Sequence, residues 1–181
     1  MPAHEVVMTQ AVRSGAPTSR TVSPAATRER TVDTQDDVLI ANRAMLVHFD
    51  SYSAALMFAK WGDTLLAPAP LPPSAAALAP TGGTAAIKDG DAVKTALVAR
   101  LGLNPAELEL AVDFDHQVST DAGPIRVHLL RFTTFEAPKA ALEAHGGVFR
   151  PISALRGGAP VELLLAREVF NLIIGAGGGR A

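Results

Sequence analysis

Asp113, Asp115, His116 and His128 are the residues whose types and spacing come nearest to a chemical site. Two imidazoles and a carboxylate on facing strands are the donor set of a transition-metal centre or a general base. The pattern around them argues otherwise. Leu108, Leu110, Val112 and Phe114 alternate with Glu107, Glu109, Asp113 and Asp115, so both aspartates are expected on the wet face of a strand. A cross-strand contact between His and Asp forms there without chemistry, and no metal, cofactor or catalytic residue is assigned. Asp115, His116 and His128 are kept as candidate ligand-binding residues. Arg126 and Arg131 join them, since arginines on one sheet face can grip phosphate; Arg150 is weighed for the same role. His48 with Asp50, and His145 before Gly146, read as strand-end and helix-end residues. No serine lies in a Gly-x-Ser-x-Gly elbow, and Gly82-Gly83 lacks the spacing and lysine of a phosphate loop.

Composition narrows the classes further. The chain has 181 residues, a formal net charge of −2 and no cysteine. The charge leaves no global basic field for nucleic acid or an anionic membrane. Without cysteine there is no disulfide framework and no thiolate nucleophile, which fits a reducing compartment, and the cytoplasm is expected. No apolar run approaches the roughly 18 residues of a membrane span. From Thr9 to Asp37, nine Ser or Thr and four Arg surround only three large apolar residues, Val12, Val22 and Val32. Such a stretch buries too little to offset its ordering entropy, so residues 1–37 are expected as a disordered tail. Residues 38–176 are expected as one α+β domain, and 177–181 as a flexible end.

The elements that must position the candidate residues can be read in order. Val38 to Phe49 is rich in Val, Ile, Leu and Met and reads as a strand. Ala54 to Ala67 reads as a hairpin turning at Lys60-Trp61-Gly62-Asp63. Residues 68–80 hold five of the 13 prolines and read as a surface loop. Asp91 is expected to cap a helix ending near Leu101, with Ala92, Ala96, Leu97 and Leu101 along one side and Gly102 as terminator. Leu108 to Phe114 and Ile125 to Thr134 form an antiparallel pair across Ser119-Thr120-Asp121-Ala122-Gly123-Pro124. If Val118 pairs with Ile125, Asp115 stands opposite His128; a register one residue longer puts His116 there instead. The closed six-residue loop favours the first, which implies a His128 held charged by a carboxylate. A short helix from Pro138 to Ala144, a strand from Val148 to Ile152 and a helix from Pro160 to Ile174 complete the chain.

This order of elements resembles the Nudix fold over about residues 38–174. The Ala54 to Ala67 hairpin is similar to the family's opening strands, and Gly82-Gly83 to the pair before its signature helix. Leu97, Gly102 and Leu103 match the positions that close the signature, and Phe149 to Leu155 matches the segment before the last helix. The resemblance implies a mixed sheet between helices. It also implies glutamates that hold divalent cations, and here the sequence departs. Asp89 keeps the first spacing from Gly83, but Thr95, Ala96, Ala99 and Arg100 stand where Arg, Glu, Glu and Glu belong. Alanine and arginine cannot ligate a hard cation. The expected function is a non-catalytic accessory or interaction module; the alternatives are a nucleotide or small-molecule sensor using the former substrate cleft, and a divergent metal-dependent phosphohydrolase.

The last helix suggests where a partner docks. Its apolar residues, from Val161 to Ile174, span an arc of about 220°, against the little over 100° that covering one sheet requires. Glu162 falls inside that arc, in the first turn, where the helix dipole favours a carboxylate. Phe170, Ile173 and Ile174 are therefore expected to face a protein partner or a second copy of the chain, with neither membrane nor nucleic acid as partner.

Overall fold

The computed structural model describes residues 37–77 and 84–177. Among the described residues the strands are β1 (Asn42–Asp50), β2 (Ala55–Trp61), β3 (Leu66–Ala67), β4 (Ala76–Ala77), β5 (Leu108–Ser119), β6 (Ile125–Phe132) and β7 (Gly147–Pro151). The helices α1 (Thr84–Leu101), α2 (Lys139–Glu143) and α3 (Pro160–Gly177) accompany them. Except for Asp37, the expected N-terminal tail lies outside the described residues, as do Gly82-Gly83 and residues 178–181.

β1 organises the sheet because Ala44, Met45, Leu46, Val47 and His48 are all buried, so both of its faces need cover. It runs parallel to β6, with Asn42 opposite Arg126 and His48 opposite Phe132. Its other edge is divided: β2 pairs with Val47 to Asp50, and β3 with Ala44 and Met45. The order is β4-β5-β6-β1-β2-β7, with β3 beside β1, and the result is a curled mixed sheet. Leu46, Leu130 and Phe132 face Val93, Ala96 and Leu97 of α1 and Leu142 of α2. Met45, Val47, Val127 and Leu129 face Leu165, Ala166 and Val169 of α3 on the opposite side. The expected mixed sheet between helices is therefore present. Among the described residues no helix is long and apolar enough to cross a membrane.

Several boundaries differ from the sequence reading. The first strand begins at Asn42 rather than Val38. The turn at Gly62-Asp63 forms, with reciprocal Trp61 and Thr64 backbone bonds of 2.9 and 3.1 Å and Gly62 at φ 57°. Past Thr64, however, the second arm leaves β2 and pairs with β1. The proline-rich loop contains β4, which pairs with the end of β5. Asp91 is not a cap, because α1 has already run from Thr84, and Ala92 is exposed while Val93 is buried. Gly102 ends the helix as expected, at φ 62°, and the Leu103 N–H reaches the Val98 carbonyl at 3.1 Å.

Candidate functional site

The expected hairpin register is the observed one: Val118 pairs with Ile125 and Asp115 with His128. A bulge between Leu110 and Asp115 breaks the strand's alternation, as four residues of β5 pass a single residue of β6. The side chains past the bulge therefore exchange faces. Val112 is 58% exposed, and Asp115 turns inward beneath α1 instead of standing on the wet face.

That inversion gathers a polar cluster. Arg126 Nη1 donates to Asp89 Oδ2 of α1 at 2.7 Å, and its Nε lies 3.8 Å from Asp115 Oδ1. Both Asp115 oxygens are buried and have no hydrogen-bond partner. His128, 3% exposed, has Nε2 at 2.9 Å from Asn42 Oδ1, while Asn42 Nδ2 donates to the Val38 carbonyl at 2.8 Å. The amide oxygen can only accept, so the imidazole proton sits on Nε2. Burial and the nearby Arg126 charge push the His128 pKa down to about 4, against weaker opposing pulls from Asp115 and Asp89. The expectation of a charged His128 is thus corrected: desolvation outweighs the carboxylates, and the ring is neutral. Buried Gly90 lets α1 approach, since a Cβ there would lie 2.6 Å from Leu110 Cδ2 and 3.3 Å from His128 Nδ1.

The sheet separates the five candidate ligand-binding residues. Asp115, Arg126 and His128 share the α1 face, and His116 and Arg131 lie on the α3 face by the alternation of the ladder. His116 packs its ring on Phe114, with centroids 4.4 Å apart, and burial lowers its pKa despite Glu168 and Asp115. Arg131 is exposed and pairs across the ladder with exposed Glu109. No single ligand can touch all five. On α3, Phe170, Ile173 and Ile174 are half-buried against the core, and Leu164 is 51% exposed.

A concave site that the sequence reading passed over lies at the end of β1. His48, Asp50, Tyr52, Met57, Phe135, Glu136, Ala137, Lys139 and Phe149 line a cleft of about 420 Å³. His48 is 1% exposed; its Nε2 lies 2.9 Å from the Thr134 carbonyl, and its Nδ1 is buried without a partner. Asp50 is held by the Ser53 hydroxyl at 2.7 Å and the Tyr52 N–H at 2.9 Å, which keep its carboxyl below the usual range. A strand-end histidine carries no local signal of such a role, because Thr134, Phe135 and Phe149 reach it only through the β1 to β6 and β2 to β7 pairings.

A second hollow, about 390 Å³, lies by the C-terminal half of α1 among Trp61, Thr64, Pro68, Arg100 and His145. Of the residues at the signature positions, Ala96 is buried in the core, whereas Thr95, Ala99 and Arg100 are exposed. Among the described residues, no group of three or more His, Asp or Glu side chains is placed to hold a metal ion. Neither a protein-family model nor a curated protein matches the chain.

Proposed function

We propose that this chain is a non-catalytic interaction module on a Nudix-like scaffold. One observation carries the reading: Asp89, the carboxylate at the signature spacing, is neutralised by Arg126 at 2.7 Å. A cation that activates water needs several carboxylate oxygens converging on it. On α1 the neighbouring signature positions offer a core alanine, a surface alanine and an arginine. The scaffold keeps its sheet and helices while the metal chemistry is lost, which leaves binding as its use. The α3 face, with Leu164 exposed and Phe170, Ile173 and Ile174 half-buried, is the surface we assign to a protein partner or a second copy.

Hydrolysis of nucleoside diphosphate derivatives in Mg²⁺ or Mn²⁺ is expected to stay at background. Turnover that disappears in Asp89→Ala would overturn the reading, because it would show a rearranged carboxylate set assembling a cation site. Co-purification from the native source with mass spectrometry identifies the partner. A sensor of nucleotides is the second reading, favoured by the hollow that Arg100 and His145 line on the α1 side. Thermal stabilisation by nucleotides without divalent ions would support it.

A further inference from the structure

Among the described residues the exposed aromatic rings gather at one end of the sheet. Phe49, 39% exposed, stands one residue before the end of β1; Tyr52, 93% exposed, follows in the turn to β2; and Phe135, 73% exposed, follows β6. The parallel pairing that sets His48 beside Phe132 brings these segments together. Single apolar residues scattered over a surface need no explanation, whereas rings gathered in one place mark a contact surface. Tyr52 and Phe135 also line the cleft of about 420 Å³.

The same cleft presents two accessible carboxylates. Glu136 is exposed and Asp50 half-buried. Asp50 is fixed in place by the Ser53 hydroxyl at 2.7 Å and the Tyr52 N–H at 2.9 Å, which also hold it ionised. Each of its oxygens keeps a second lone pair for a ligand. Lys139 is a lysine of the lining, yet among the described residues no lysine or arginine lies within ion-pair reach of Asp50 or Glu136. Met57 and Phe149, which pack on the α1 side of the sheet, add apolar wall.

We propose that this cleft docks an arginine side chain of a protein partner, its guanidinium meeting the carboxylates of Asp50 and Glu136 and its flat face resting on the Tyr52 and Phe135 rings. Carboxylates and π faces both select a cation, so the two kinds of wall agree on the occupant. A planar fork matches a carboxylate and stacks on a ring, which a lysine ammonium does not. An anion would meet two like charges, and a wholly apolar group would strip water from both carboxylates without replacing it. The assignment rests on the reading of the chain as an interaction module and adds a surface on the face of the sheet opposite α3.

A capped Gly-Ser-Arg-Ser-Gly peptide, titrated into the full chain at low salt, tests the site, with the Met57 methyl resonance reporting occupancy. The same peptide with citrulline keeps the flat group and removes its charge; with lysine it keeps the charge and removes the plane. Saturable binding of the arginine peptide is expected, at least about threefold tighter than citrulline and about twofold tighter than lysine. Tyr52→Ala and Phe135→Ala should each weaken it about two- to fivefold, and Glu136→Gln about two- to threefold. All three positions are exposed, so the fold should persist, and Asp121→Asn, an exposed charge removed at the turn between β5 and β6, should change nothing. Absence of saturable binding, citrulline or lysine binding as tightly as arginine, or undiminished affinity in the three cleft variants overturns the proposal. That failure is separate from failure of the interaction-module reading, which only nucleoside diphosphate hydrolysis abolished by Asp89→Ala would show.

Discussion

The Glu162 carboxylate accepts the Leu65 N–H at 2.6 Å, although the two residues are 97 positions apart in the chain. Its other oxygen accepts the Thr64 hydroxyl at 2.8 Å, and that hydroxyl takes the Leu66 N–H at 3.1 Å. The first turn of α3 thus ties down the point where β3 leaves β2, in a place 1% exposed. This explains a charge inside an apolar arc better than the helix dipole does, since the carboxylate satisfies a buried N–H that neither strand takes up. Glu162→Ala should cost about 1–3 kcal/mol in urea unfolding, and Glu162→Gln less, because it keeps one acceptor. An alanine variant as stable as the parent would remove this role.

Acid should weaken the fold through His128. Its folded pKa, about 4, lies below the ordinary 6.5, so the unfolded chain binds the proton more readily. The contribution is complete above pH 6.5 and is lost as pH falls from there towards 4. The loss is on the order of 2 to 3 kcal/mol. Unfolding free energies across that window should fall less steeply in His128→Gln. His116, lowered in the same direction, leaves a residual slope in that variant.

Gly147 is required by the indole of Trp61, its partner across β2 and β7. A Cβ there would lie 2.6 Å from Nε1 and 3.0 Å from Cε2 of a rigid ring. Gly147→Ala should cost about 1–3 kcal/mol and shift the emission of Trp61, the chain's single tryptophan. Gly158→Ala is the control. Its added carbon would meet Leu163 Cδ2 at an ordinary 3.5 Å, and stability should change by no more than about 0.5 kcal/mol.

The α3 surface is tested by sedimentation. Leu164→Arg, at an exposed position, should leave stability within about 0.5 kcal/mol and dissociate any self-association or partner complex. The double change Phe170→Ser and Ile174→Ser should act in the same way at some cost in stability, since both side chains also pack on the core. Unfolding without any change of assembly state would make the helix core alone.

Hydrophobic pattern and turn chemistry made most of the framework legible: the Gly62-Asp63 turn, the end of α1 at Gly102 and the register of β5 on β6 all follow from local residues. The polar cluster was legible only in part. Alternation from Leu108 to Asp115 is interrupted only by Ala111, and one small residue does not announce the bulge that turns Asp115 inward. Backbone pairing decides that parity, so residue spacing placed Asp115 on the wet face. The neutral His128 was hidden for a related reason, because a facing carboxylate is visible in the register while the depth of burial is not. His48 was harder still: its cleft takes Phe135, Glu136, Ala137, Lys139 and Phe149 from chain far from His48 in sequence.

The divided edge of β1 sets an order on how this chain acquires its shape. The hairpin of β2 and β3 can cover one edge early, from residues close by in sequence. The other edge, from Asn42 to His48, has no mate until Arg126 to Phe132 have been synthesised. During translation β1 therefore stands with one row of amides and carbonyls open, in a strand whose residues from Ala44 to His48 are all buried in the finished fold, while the proline-rich loop, α1 and β5 emerge. Closing that parallel pair means closing a long loop, which makes the step slow and the waiting strand a target for chaperones. Nascent chains stalled before Ile125 should stay protease-sensitive, and those that have cleared Phe132 from the ribosome should resist.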